Sequence, residues 1–213
     1  MINEYIDLVW QDKNILDNPE QIYENKGKWR DYFQNQNEIY LEIGTWLGHF
    51  FSIEASENLD KNFIGMEIKF KRLYKTAQKS RDNWVKNFVL LKDFGQNIDK
   101  IFQSWEVSRT YIFFPDPWDK KERQKKHKLL QAEFLENLFN ITKLWGKVCF
   151  KTDHKWYFDE VLEIVREQKL FTIESVSYDY EKETDLFDKQ KQTVFESMFR
   201  GQKLKINYAE FVK

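Results

Sequence analysis

Leu41-Glu42-Ile43-Gly44-Thr45-Trp46-Leu47-Gly48 decides the fold: an apolar run beginning at Ile39 stops at a turn bounded by two glycines, and Phe51, Ala55 and Leu59 then repeat at helical spacing. A short apolar run is the mark of a strand buried on both faces, and a glycine turn feeding a helix continues it into an α/β unit. Working outward, the same alternation recurs. Apolar runs lie at 63–66, 88–91, 111–114 and 148–150. Between them, Phe70, Leu73, Tyr74 and Ala77 fit the i, i+3, i+4, i+7 pattern, Leu130, Phe134 and Leu138 keep a four-residue step, and Tyr157, Val161, Ile164 and Val165 open a further helix. This order predicts an α/β fold, a Rossmann-like, mostly parallel sheet with helices on both faces. The tail breaks the alternation. Segments 172–180 and 203–212 both read as strands, so the chain is expected to close with a C-terminal antiparallel hairpin, giving seven strands in all.

Length and composition bound the function. The 213 residues contain no repeat, no low-complexity tract and no linker, so one domain over 1–213 is expected, with 1–35 an N-terminal extension packing on it. No apolar run approaches the roughly 18 residues of a membrane span, and residues 1–14 lack the basic and apolar regions of a signal peptide. A soluble, cytoplasmic protein without a membrane partner is expected. Cys149 is the only cysteine, which excludes an internal disulfide, and its apolar neighbours predict a buried core thiol. His49, His127 and His154 are widely spaced, so no metal site is expected. The formal charge of −1 excludes a uniformly basic surface, and any nucleic-acid contact has to be local.

In open α/β sheets ligands sit beyond the carboxyl ends of the strands, where the strand order reverses. Four acids fall there. Glu42 lies in the first strand two residues before Gly44, Glu67 ends the second, 23 residues after Gly44, Asp93 ends the third and Asp116 follows the fourth. A carboxylate at the position of Glu67 can accept both hydroxyl hydrogens of a ribose. The Gly-x-x-x-Gly turn by itself also serves plain helix packing. A nicotinamide cofactor would bring a pyrophosphate and favour an anion-binding turn, whereas S-adenosylmethionine carries a sulfonium cation and suits an acidic rim.

The fourth strand runs into Phe114-Pro115-Asp116-Pro117-Trp118, where two prolines stiffen a loop holding one carboxylate beside an indole, a clamp for a planar base. Lys120, Lys121, Arg123, Lys125, Lys126 and Lys128 follow, a cluster suited to phosphate contacts. Lys69, Lys71, Arg72, Lys75, Lys79 and Arg81 read instead as a solvated helix face.

On these residues the chain resembles the bacterial tRNA (guanine-N7-)-methyltransferase family. The likeness runs from Lys26-Gly27-Lys28-Trp29 to the C-terminal hairpin through Leu41-Glu42-Ile43-Gly44, Phe63-Ile64-Gly65-Met66-Glu67, Pro115-Asp116-Pro117-Trp118 with its basic tract, Lys151-Thr152-Asp153 and Thr193-Val194-Phe195-Glu196. It implies a class I methyltransferase fold, S-adenosylmethionine as cofactor, and transfer to N7 of a variable-loop guanosine in tRNA. Carried over by position, Glu42, Gly44, Glu67, Asp93 and Asp116 are implied to bind the cofactor, with Asp116 also the catalytic residue. Lys120, Asp153, Thr193, Phe195 and Glu196 are implied substrate-binding positions, and Arg123, Lys125, Lys126 and Lys128 implied RNA contacts. Three departures stand out: Trp46 replaces the middle glycine of the family's turn, Gln124 stands where a histidine is common, and the arginine-rich opening of many members is missing. The alternatives are methylation of another RNA base, and a non-catalytic RNA-binding module on this fold.

Overall fold

A computed structural model of the chain describes residues 4–118, 127–183 and 191–213. The strands are β1 (Ile15–Leu16), β2 (Ile39–Ile43), β3 (Asn62–Met66), β4 (Phe88–Leu91), β5 (Val107–Phe113), β6 (Thr142–Thr152), β7 (Thr172–Ser177) and β8 (Asn207–Val212). The helices are α1 (Tyr5–Trp10), α2 (Pro19–Glu24), α3 (Trp29–Phe33), α4 (His49–Glu57), α5 (Phe70–Asp82), α6 (Ile98–Ile101), α7 (Ala132–Ile141), α8 (Lys155–Gln168), α9 (Tyr180–Glu183) and α10 (Val194–Gly201). One sheet takes the order β1-β4-β3-β2-β5-β6-β8-β7. Every pairing is parallel except those of β8, which runs antiparallel to both β6 and β7. The α/β fold with its antiparallel close is therefore as the sequence implied. It carries one strand more than the seven expected, because Ile15 and Leu16 pair with Leu90 and Leu91 at the edge. Two residues are too few for any periodicity to announce them.

Both faces of the sheet are covered, which is why the central strands read as unbroken apolar runs. On one face Ile22, Trp29, Ile98, Leu135, Leu138, Tyr157 and Val161 close over Leu41, Ile64, Val89, Ile112 and Phe150. On the other, Phe51, Ala55, Leu73 and Ala77 cover Phe63, Phe88 and Leu90. The N-terminal segment contributes Val9, Ile22 and Trp29 to these cores, and the Trp29 indole N–H donates to the Ile101 carbonyl at 3.0 Å. Cys149 is buried among aromatic rings, and that burial pushes its thiol up to about 12, so it is no nucleophile. Strand order reverses between β2 and β5, with β3 and β4 on one side and β6 on the other. The cleft that the fold permits opens at that reversal.

Candidate active site

The turn after β2 is held by the Gly44 and Thr45 N–H groups, which both donate to the Met66 carbonyl, at 2.8 and 3.1 Å. Its two glycines differ in purpose. Gly44 has φ +85° and a Cβ added there would meet nothing within 4 Å, so the backbone lies open to a ligand. Gly48 serves packing: a Cβ there would come within 2.7 Å of the Thr76 Cα, so it is the close approach of α4 to α5 that requires the second glycine.

The acids at the strand ends are buried and incompletely satisfied. Glu42 is 4% exposed, its Oε2 has no hydrogen-bond partner among the described residues, and burial, reinforced by the charges of Glu54 and Glu67, raises its carboxyl well above the usual range. Glu67 Oε1 accepts the Ile68 and Lys69 N–H groups at 2.9 and 3.0 Å, and Arg72 Nη1 lies 3.5 Å away. Burial still raises Glu67, against the opposing pull of Arg72 and those amides. Asp93 uses Oδ1 to accept from the Phe94 N–H and the Asn97 amide, both at 2.7 Å, and leaves buried Oδ2 without a hydrogen-bond partner among the described residues. A buried carboxylate oxygen without a donor costs free energy, so two at one sheet edge mark a place that a donor-rich or cationic ligand completes.

A cleft of about 230 Å³ lies among them, bordered by Gly44, Glu67, Asp93, Asp116, Trp118 and Phe195. Glu42 opens into a smaller adjoining pocket shared with Gly44, Trp46, Thr193 and Phe195. Asp116 is exposed at the rim; the loop bearing it leaves β5 through Phe114, whose φ is +53° and whose N–H donates to the Lys151 carbonyl at 2.8 Å. The Trp118 ring centroid is 5.6 Å from that of His127.

Known proteins resemble this chain over most of its length. Residues 36–208 match the family model described as "Putative methyltransferase". A tRNA (guanine-N(7)-)-methyltransferase of Clostridium botulinum is 36% identical over 89% of this chain and 88% of its own length. The enzyme of the same name from Bacillus subtilis is 36% identical over 76% and 77%. The chain belongs to the tRNA (guanine-N7-)-methyltransferase family. A bifunctional glycosyltransferase/methyltransferase of Fusobacterium nucleatum is 38% identical over 93% of this chain, which spans only 32% of that longer protein. Among solved structures the 16S rRNA methyltransferase KamB superposes with a TM-score of 0.65 at 11% identity, over 87% of this chain and 92% of that one, a likeness of fold alone.

Not every residue matched to the family faces the cleft. Glu196 is fully buried: it accepts from Lys151 at 3.2 Å and from Arg200 at 2.9 Å, so its carboxylate anchors α10 to β6. Thr193 caps that helix, its hydroxyl oxygen accepting the Glu196 N–H at 3.0 Å. Phe195 is the member of the segment that borders the cleft, and its ring centroid lies 4.7 Å from that of Trp46. Asp153 is half-buried beyond β6, 3.9 Å from His154 Nε2, and does not border the cleft. Lys128 is 5% exposed, its ammonium 2.6 Å from Glu160 and over the Trp156 ring, so its charge is neutralised within the fold and not presented to solvent. Lys120, Arg123, Lys125 and Lys126 lie outside the described residues.

Arg72 is the residue that sequence reasoning missed. Read as one of six cations on a solvated helix face, it turns into the cleft, with its guanidinium 3.3 Å from the centre of the Trp46 ring. Its place five residues after Glu67, in the first turn of the helix leaving that strand, is the signal that could have found it.

Proposed function

We propose that the chain transfers a methyl group from S-adenosylmethionine to N7 of a variable-loop guanosine in tRNA. The observation that carries this is the pair of unpartnered buried carboxylate oxygens, on Glu42 and Asp93, beside the open backbone of Gly44. The donor set fits the cofactor: Glu67 and Asp93 can accept ribose hydroxyl and amine hydrogens, and Glu42 adds the negative charge a cation needs. When bound, S-adenosylmethionine supplies an electrophilic methyl group on a sulfonium.

Guanine N7 has a lone pair and no proton at neutral pH, so Asp116 has nothing to abstract. Its work is positional and electrostatic. On a loop stiffened by Pro115 and Pro117, its carboxylate faces the purine and stabilises the positive charge that grows on the ring as N7 is alkylated. Asp116, on the loop after β5, can accept from guanine N1–H and the exocyclic amine, a pattern adenine cannot offer. Trp118 supplies a flat surface for the base. The cations of the tract 120–126 supply phosphate contacts that help pay for unstacking the target nucleotide, a cost of about a few kcal/mol.

Incubation of purified protein with unmodified tRNA and labelled S-adenosylmethionine, followed by nucleoside mapping, tests this directly. 7-Methylguanosine in the variable loop is the expected product. N6-Methyladenosine would reassign the target, and no transfer together with no donor binding would leave an RNA-binding module.

A further inference from the structure

Five of the nine non-glycine residues with positive φ among the described residues are tryptophans: Trp46 (51°), Trp84 (61°), Trp105 (66°), Trp118 (46°) and Trp145 (63°). Tryptophan is 8 of 213 residues, so chance does not gather it there, and a bulky side chain is among the least suited to the left-handed region. Trp118 is set apart because its indole borders the cleft against His127.

The other four occupy places whose backbone chemistry belongs to glycine. Trp84 is the clearest. It follows the end of α5, its N–H donates to Arg81 O at 2.9 Å, and the next N–H, of Val85, donates to Ser80 O at 2.9 Å. Those two bonds close a helix with the left-handed residue where glycine is the usual occupant. Trp105 precedes β5, and Trp145 lies inside β6 at the irregularity where the β5–β6 register shifts; their N–H groups donate to the carbonyls of Asn140 and Lys213, both at 3.0 Å. Trp46 takes the middle position of the turn between Gly44 and Gly48. At 84, 105 and 145 the indoles are 83%, 59% and 77% exposed, whereas Trp29, on helical backbone, is fully buried and hydrogen-bonded. The chain also holds only 7 glycines, where average usage of about 7% predicts roughly 15.

We propose that 46, 84, 105 and 145 are glycine positions of this protein, decoded as glycine in the cells that make it. Four independent mutations would not converge on one residue type. A single change of decoding does so, because the codon UGA is assigned to tryptophan in some bacterial codes and to glycine in others. At position 46 the consequence is functional: the indole packed between Arg72 and Phe195 is replaced by open backbone, and the donor gains the approach that Gly44 begins.

Peptide mass mapping of the protein isolated from its native cells is decisive. Glycine is expected at 46, 84, 105 and 145 with tryptophan kept at 29 and 118; tryptophan at the four positions would overturn the proposal. The physical basis has its own test in recombinant protein, comparing Gly with Ala at 84, 105 and 145. Both remove the indole, but only Gly relieves the left-handed strain, so each Gly variant should melt about 2–4 °C above its Ala counterpart. Ala equal to or above Gly at all three would remove that basis. Trp46→Gly should tighten S-adenosylmethionine binding about tenfold by calorimetry, an arm that rests on the proposed function. If the melting and mass results hold while this arm fails, the error lies in where the donor sits and not in the glycine assignment.

Discussion

Two strands of one sheet, β8 beside the edge strand β7 and β2 at the centre, bury carboxylates and treat them in opposite ways. On β8, Glu210 has Lys147 Nζ at 2.7 Å and accepts from the Tyr208 hydroxyl at 3.2 Å. Burial would raise it, but hydrogen bonds with Glu174 and Lys147 prevail and hold its carboxyl low. On β2, Glu42 has no cation beside it among the described residues; burial and its acidic neighbours hold it high. The sheet buries both side chains, so depth alone does not tell structure from function. Local pairing does: a satisfied buried carboxylate belongs to the fold, and an unsatisfied one waits for a ligand.

The largest effect expected along this contrast belongs to the cleft rim, where Asp116 is proposed to act. Asp116→Ala should lower methyl transfer by about 100-fold or more with the fold intact, because an exposed side chain is removed together with its positioning and charge. Steady-state rates alongside circular dichroism check it, and wild-type turnover would remove Asp116 from the chemistry.

Glu42→Gln and Glu210→Gln then divide the two regions. The first should weaken donor affinity about tenfold yet raise stability by about 1 kcal/mol, since a costly buried charge is gone. The second should leave donor affinity alone and cost about 1 kcal/mol by removing one of the two carboxylates that hold Lys147, which keeps Glu174 at 2.5 Å. Calorimetry and urea denaturation on both variants read the crossing; the same sign of stability change in both would erase the distinction.

Acidity sharpens the comparison further. Glu42 and Glu67 bind protons more tightly folded than unfolded, so their contribution to stability is greatest at low pH and falls as pH rises from about 4.5 through their raised folded values. Donor affinity should run the other way, rising over that window as the rim gains charge. A flat affinity profile in wild type, or one unchanged by Glu42→Gln, would separate the acids from donor binding.

The smallest effect concerns RNA. Lys125→Ala should weaken tRNA binding and reduce the slope of log affinity against log salt by about one. Lys128→Ala, which loses a cation already paired with Glu160, should leave that slope unchanged.

Much of this was legible in the chain. The period of the apolar runs and the helix spacing specified the α/β fold, and carboxylates at successive strand ends put Glu42, Gly44, Glu67, Asp93 and Asp116 at one edge, because parallel topology carries every strand terminus to the same side. Motif matching was less able to say which way a side chain faces. Glu196 and Lys128 match family positions yet are taken up by Lys151, Arg200 and Glu160. Arg72 belonged by pattern to a solvated face, and the fold turned it over Trp46.

What the sequence by itself determined is the order of elements and the edge at which acids gather, since backbone periodicity and connection rules are local. Which of those acids stay unpaired, and which cations are taken up inside the fold, only the tertiary structure decided. Pairing depends on distances of a few ångströms between residues far apart in the chain, and no local pattern encodes them.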